Sequence, residues 1–471
     1  MRSPFRPAAT VMHRRTFLLQ LKGMLAGAAA ADQTSPRPMR AAAGRKKRIL
    51  IIGAGFSGLA AARQLHGLGH EVQVLEGRQR SGGRIHTSRE WADLPLDHGA
   101  TWIHGVRGNP IMREAAALKA RLLETRYEDY VAYQTSGRRF TLAEEQARES
   151  LGDQIAKKIR KEQSAGRDVA LRDAVEEWIG PGAPADTAGL ARFILSSDYE
   201  QEYAGSINDL STYWFDSDKS FGGGDKLFAE GYQVVIDYLA QGLDLKTGHT
   251  VRAIDWSGPV VRVTTDAAEF TADRVLVTLP LGVLKAGDVA FHPALPDGKK
   301  QAIERLGMGV LNKCYLRFPK AFWPEDVDWI EFVPEVHGKW SQWVSFMKAA
   351  RQPVLLGFNA ADEGRAMELL TDGQIVASAM ETLRTIYGSK IPEPTGHQIT
   401  RWANDPFARG SYSFNALGST PAMRKVLAKP LQNRLFFAGE ATSTAYFGTT
   451  HGAYLSGIRA AREMASARST G

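Results

Sequence analysis

The chain has 471 residues, 44% hydrophobic and 23% charged, which is ordinary for a folded enzyme with room for two domains and excludes a mostly disordered or fibrous chain. The formal net charge of +8 is concentrated at one end: residues 1–44 carry seven Arg or Lys and one acid, net +6, so the body is left with +2 and no electrostatic footprint for nucleic acid. Its one cysteine, Cys314, excludes an internal disulfide and reads as a small buried residue on a strand.

In chain order, the first feature is a leader. HRRTFLLQ at 13–20 sets Arg14 and Arg15 before Phe17 and Leu18, followed by a modest apolar stretch to Ala31. This resembles a twin-arginine export signal; the alternative is an unprocessed basic tail. The apolar stretch falls short of the roughly 20 residues of a spanning helix, so no stable membrane insertion is expected after processing. The expectation is an exported protein, periplasmic or secreted, handled by the twin-arginine export machinery.

Residues 49–76 read ILIIGAGFSGLAAARQLHGLGHEVQVLE. A β-branched apolar run feeds Gly53, Gly55 and Gly58 in GxGxxG spacing, and Leu59, Ala62 and Leu65 then recur at helical spacing until Gly67 and Gly69. The predicted helix turns its positive N-terminal end toward a phosphate. Val72 and Val74 alternate through a second strand to Glu76, which lies 23 residues after Gly53, where a dinucleotide fold places the acid that accepts from the ribose. Gly82, Gly83 and Arg84 follow as a second glycine turn with a fixed cation suited to a pyrophosphate. Residues 111–205 read as a mostly helical insertion broken by GPGAPAD at 180–186. A helix over Tyr232–Leu239 and strands in HTVRAI, VVRVTT and RVLVTL come next. VLNKCYLRF, WVSFM and VLLGFN suggest a separate sheet, and RLFFAGE is a strand ending in Gly439 and Glu440 before a helix from His451 to about Met464.

RILIIGAGFSGLAAARQL, LEGRQRSGGRIHT, DHGATWIHGVRGNP, TLPLGVLK, LNKCYLRF, RWANDPFARGSYS and FFAGEAT to THGAYLSG occur in one order across about 410 residues. Together they resemble the flavin-dependent amine oxidases, with WIHG and STAYFGTTHGA closest in wording to the spermine and acetylpolyamine oxidase branch. The resemblance implies an α/β fold: a discontinuous Rossmann-like FAD-binding domain (45–110, 220–290 and 405–471) after the leader and linker (1–44), with an α+β substrate-binding domain (111–219 and 291–404). It implies FAD held by Gly53, Gly55, Gly58, Glu76, Arg78, Gly83, Arg84, Val251, Gly439 and Glu440. Lys313, which on its strand alone reads as one of several solvated side chains, matches the lysine that holds a water near the flavin N5; Trp402 and Tyr412 match aromatic positions beside the flavin. Trp102, His104, Tyr446 and Thr449 are the implied substrate contacts. Thr449 stands where some relatives carry a second cage aromatic, for which Tyr446 is the candidate replacement.

Ser411 stands where monoamine oxidases carry a flavin-linking cysteine, so the FAD is expected to be non-covalent. No metal site is expected. The implied reaction is hydride-equivalent transfer from the α-carbon of a neutral small-molecule amine to flavin N5, imine hydrolysis, and reoxidation by O2 with release of hydrogen peroxide. The rivals are an L-amino-acid oxidase, using Arg317 or Arg409 for the substrate carboxylate, and a flavin-binding redox sensor without turnover. Glu200, Glu202, Asp209 and Glu331 are acids of the presumed substrate domain, suited to attracting a polycation, with surface solvation the expected fate of each.

Overall fold

A computed structural model describes residues 46–467. The expected export signal therefore lies outside the described residues. Among them, no helix is long and apolar enough to cross a membrane.

Five parallel strands form the first sheet, in the spatial order Leu435–Phe437, Arg274–Val277, Arg48–Ile52, Glu71–Leu75, Asp244–Lys246. The order reverses beside the first strand of the chain, which makes the end of Arg48–Ile52 a topological switch point, the place where such sheets open a crevice. The alternation of side chains explains the unbroken apolar run. Ile49 and Ile51 face one way, against Leu59, Leu65, Ile236 and Ile458 of the covering helices. Leu50 and Ile52 face the other, against Val251, Ile254 and Val263 of a four-stranded sheet. Both faces are buried, as a parallel sheet requires.

The helix Phe56–Gly67 packs against Thr450–Ser466 at close range, which small residues permit. A Cβ on Gly457 would stand 2.1 Å from the Ser57 carbonyl oxygen, and the hydroxyls of Ser57 and Ser456 meet at 3.1 Å.

The second layer is a six-stranded sheet in the order Gly396–Ile399, Leu311–Arg317, Val354–Ala360, Gln342–Ser345, Trp329–Phe332, Tyr130–Tyr133. Period-two alternation sorts its side chains. Cys314 and Leu316 pack on Ile375, Ala379 and Leu383 of the helix Asp372–Tyr387. Tyr315 faces the opposite way, into a cluster with Trp102, Trp329 and Phe358. Cys314 is buried, as its strand setting predicted.

The stretch expected to be a helical insertion is mixed. It holds the long helix Leu142–Ser164, started by a Thr141–Glu144 capping box, but also two strands. Leu122–Thr125 pairs with Asp225–Phe228, and Tyr130–Tyr133 closes the edge of the six-stranded sheet. Short strands set by cross-chain pairing leave little local periodicity, which is why the helical pattern masked them.

Candidate active site

The glycine motif works through three different constraints. Gly53 turns the chain at φ +104, a conformation that favours glycine. Gly58 is required by packing: a Cβ there would lie 2.0 Å from the Gly53 carbonyl oxygen. It does not line the cavity described below, so its part is helix-to-turn contact rather than direct cradling. Gly55 has φ −77, and a Cβ on it would meet nothing nearer than the Gly82 carbonyl at 4.0 Å. The protein itself does not demand glycine at that position.

Glu76 is buried and braces the motif. One carboxylate oxygen accepts from the Ala54 N–H at 2.9 Å, the other from the Arg78 N–H at 2.9 Å. Arg78, expected to clamp phosphate, lines the cavity, and both of its terminal nitrogens donate to Asp405 at 2.8 Å, beside the Phe407 ring. Arg84 donates to the Ser411 carbonyl and to Glu440, each at 2.9 Å. Glu440 also accepts from the Ser413 hydroxyl at 2.6 Å and the Gly448 N–H at 2.9 Å. Burial opposes the charge on Glu440, but Arg84, Ser413, the nearby Arg424 and Gly448 outweigh it and hold the carboxyl below its ordinary pKa.

These groups share one cavity of about 530 Å³. Gly53, Gly55, Glu76, Arg78, Gly83, Arg84, Val251, Gly439 and Glu440 line it, and so do Lys313, Trp402, Tyr412, Trp102, His104 and Thr449. Tyr446 does not; its ring stacks on Phe221 at 5.0 Å and meets His451 edge-on at 5.1 Å, so it does not take the place of the missing cage aromatic. The Thr449 hydroxyl instead caps the helix Thr450–Ser466, accepting from the Gly452 N–H at 3.0 Å.

Lys313 is buried, not solvated. Its ammonium donates to the Asp97 carbonyl at 2.8 Å, the Gly99 carbonyl at 2.6 Å and the Thr101 hydroxyl at 2.5 Å, which uses all three of its N–H donors. Burial lowers the Lys313 pKa and raises that of Asp97, each restrained by the charge of the other. The Lys313 nitrogen sits 5.9 Å from the centre of the Trp102 ring. Trp402 donates from its indole to the His98 carbonyl at 3.1 Å, and Tyr412 donates from its hydroxyl to the Gln201 carbonyl at 2.7 Å.

Sequence reasoning missed three members of the ring wall, Tyr127, Trp329 and Phe358. Tyr127 stacks on Trp329 at 4.6 Å, Trp329 stacks on Trp102 at 6.0 Å and on Phe358 at 6.2 Å, and all four line the cavity. Trp329 and Phe358 lie on strands, so alternation within DWIEF and VLLGFN was the available signal. His104 stacks on Trp102 and bonds Asp225 through Nδ1 at 2.8 Å.

Two acids expected to be solvated are buried: Glu200 bonds His337 at 2.7 Å, and Glu331 pairs with Arg148. Glu202 and Asp209 are exposed, and Glu202 lines the cavity. Among the described residues no cluster of His, Cys, Asp and Glu could hold a metal ion.

A switch-point crevice with a glycine turn and a buried acid behind it defines a dinucleotide-binding protein, here with a ring-walled extension of the same cavity. The profile of the "Flavin containing amine oxidoreductase" family matches residues 56–465. Polyamine oxidase 2 of Arabidopsis thaliana is 34% identical over 437 residues, covering 89% of this chain and 88% of that protein. Polyamine oxidase 3 of Oryza sativa subsp. japonica is 34% identical, covering 88% of each. Lysine-specific histone demethylase 2 of Homo sapiens is 32% identical over 89% of this chain, which spans 53% of that longer protein. The chain belongs to the flavin-containing amine oxidoreductases and is a FAD-dependent amine oxidoreductase.

The residues fit the cofactor. Gly55 and Gly439 both line the cavity, and a Cβ on Gly439 would meet open space within 4 Å. Backbone close to open cavity at two glycine turns is what the close approach of a pyrophosphate needs.

Proposed function

We propose that this chain oxidises polyamines at a carbon beside a secondary amine nitrogen, with FAD held non-covalently. The observation that carries the reading is a single cavity that contains the glycine turns, Lys313 and the Trp102, Tyr127, Trp329 and Phe358 rings together.

When bound, the flavin would supply a two-electron acceptor for the amine Cα–H, with O2 as the final acceptor. Gly53, Gly55 and Gly83 would leave the backbone clear for the phosphates, Glu76 and Val251 would hold the adenosine end, and Arg84, steadied by Glu440, would offer positive charge. Arg78, held in place by Asp405, lines the same wall and would add positive charge there. The Ser411 hydroxyl is engaged with the Leu311 backbone and has no thiol chemistry to offer a covalent link. Trp402 and Tyr412, each anchored to a backbone carbonyl, supply rigid walls, and the ring cluster excludes water while presenting π faces to ammonium groups. His104, fixed by Asp225, and the exposed Glu202 line the same cavity, where Glu202 would attract a cationic chain. The reacting nitrogen must be neutral, since an ammonium has no lone pair to support loss of hydride.

A substrate carboxylate has poorer prospects. Arg409 is bonded in two-pronged fashion to Asp288 at 2.6 and 3.0 Å, and Arg317 is paired with Asp93 outside the cavity. The similarity to plant polyamine oxidases supports the same choice. Peroxide release from the purified, FAD-loaded protein tests it, with polyamines, monoamines and L-amino acids offered in parallel. Polyamines are expected to give the fastest release; faster release with amino acids overturns the substrate class, and no release with any of them overturns oxidase turnover.

We further propose that the protein is exported folded, FAD in place, by the twin-arginine route. Changing Arg14 and Arg15 to lysine keeps the charge and is expected to stop export in a bacterial host; undiminished export of that variant contradicts the route.

A further inference from the structure

The cavity side of the strand Leu311–Arg317 carries Lys313; its far side carries Asn312, and there the structure shows a polar network that nothing above uses. Glu368 caps the helix Ala361–Met367 and is 7% exposed. One of its oxygens accepts from the Asn312 side chain at 2.6 Å and the Ala403 N–H at 2.8 Å, and the other accepts from the Asn404 N–H at 2.8 Å. Asn312 in turn accepts from the Trp402 N–H at 3.0 Å and the Thr400 hydroxyl at 3.2 Å. The Thr400 hydroxyl accepts from the Lys313 N–H at 2.8 Å.

We infer that Glu368 is a positioning residue that sets the Trp402 ring, and with it the register of Lys313, at the reacting end of the cavity. A carboxylate can accept from three donors at once; an amide of the same shape cannot, because one of its two heads is itself a donor. Glu368→Gln therefore keeps the volume and turns an N–H against a backbone N–H of residues 403–404. The loop must shift, and Trp402 is carried with it. No substrate or cofactor contact is assigned to Glu368, so its effect passes through Trp402.

The inference rests on the proposed amine oxidation for its kinetic arm but has an optical arm that does not. Visible circular dichroism of bound FAD and anaerobic flavin bleaching by spermine are measured on FAD-loaded wild type, Glu368→Gln, Trp402→Ala and the double variant. Glu368→Gln is expected to change the dichroic band and to slow bleaching roughly ten- to a hundredfold, the scale of a small misplacement near the chemistry. In the Trp402→Ala background the same change is expected to add less than about twofold, because residues acting as one unit do not add. Independent, multiplying effects in the double variant overturn the inference, as does a Glu368→Gln protein with wild-type dichroism and rate. If wild type is not bleached by any amine, the proposed function fails, and the dichroic band alone decides for or against Glu368. If Glu368→Gln does not accumulate, Asn312→Ser cuts the same chain one bond later; the same dichroic change is expected, and an unchanged band overturns the inference.

Discussion

The two ends of the cavity are built in different ways. At the glycine end the working groups are close in sequence: Gly53, Gly55, Glu76 and Gly83 span one strand, one helix, one strand and a turn, and Glu76 bonds back to Ala54. At the ring end Trp102, Tyr127, Lys313, Trp329 and Phe358 come from well-separated segments that meet only when the six-stranded sheet is formed. The first end is a local device that a folded βαβ unit carries with it. The second depends on the whole fold, so its residues must be judged by what they touch rather than by what surrounds them in sequence.

The largest expected contrast lies within the glycine end itself, between a glycine the protein needs and one the ligand needs. Gly58→Val drives side-chain atoms into the Gly53 carbonyl, and overpacking of this kind costs about 1–3 kcal/mol or more, visible as a lower melting temperature with or without FAD. Gly55→Val places its side chain where the nearest protein atom is 4.0 Å from Cβ, so the FAD-free protein should melt within about 0.5 kcal/mol of wild type while FAD affinity falls by about tenfold or more. Equal destabilisation of the two FAD-free variants would erase the distinction.

At the ring end, Lys313→Met leaves the Asp97 and Gly99 carbonyls and the Thr101 hydroxyl without the ammonium. The Asp97 carbonyl keeps the Tyr315 hydroxyl at 2.7 Å and the Gly99 carbonyl the Thr101 hydroxyl at 3.4 Å, so the loss is of shared rather than sole donors and costs about 1 kcal/mol; a lower melting temperature is expected together with slower flavin reduction or reoxidation, FAD remaining bound through the intact glycine end. Wild-type melting and wild-type rates in both half-reactions would show that the three bonds contribute nothing.

The smallest effect is the pH response of the Glu440 carboxylate, which ties Arg84 to Ser413 and Gly448. Its folded-state pKa is depressed, so its contribution to stability is complete above the ordinary glutamate value of 4.5 and is lost as pH falls through the lower folded value. Glu440→Gln should therefore be less stable than wild type near neutrality and converge on it in acid. Thermal melts across that range check the sign; a gap that widens on acidification would contradict it.

The same contrast governs what was legible in advance. The apolar run, the glycines and the acid at Glu76 announce themselves because each constraint acts over a few residues, and the helix Phe56–Gly67 begins and ends where its punctuation says. Lys313 looked solvated by pattern alone, since alternation cannot tell water from a buried crossing by residues 97–101; the family wording marked it, and the structure supplies its three partners. The place of Tyr446 was not legible, because a ring's direction depends on its neighbours, here Phe221 and His451. The pairing of Arg78 was not legible for a related reason: its partner Asp405 is more than three hundred residues away in the chain. Glu368 and Asn312 gave no signal, since a buried carboxylate that gathers backbone N–H groups has no characteristic spacing in sequence.

The account's central claim, that a neutral polyamine gives up its α-hydrogen inside this cavity, is tested most directly by anaerobic stopped-flow bleaching of the bound flavin. Spermine, spermidine, acetylated spermine, a simple monoamine and L-amino acids are compared from mildly acid to alkaline pH. Because free amines of this type have pKa values of about 10, bleaching by the polyamines should be fastest and should accelerate toward alkaline pH. Faster bleaching by L-amino acids, or a polyamine rate independent of pH, would contradict it.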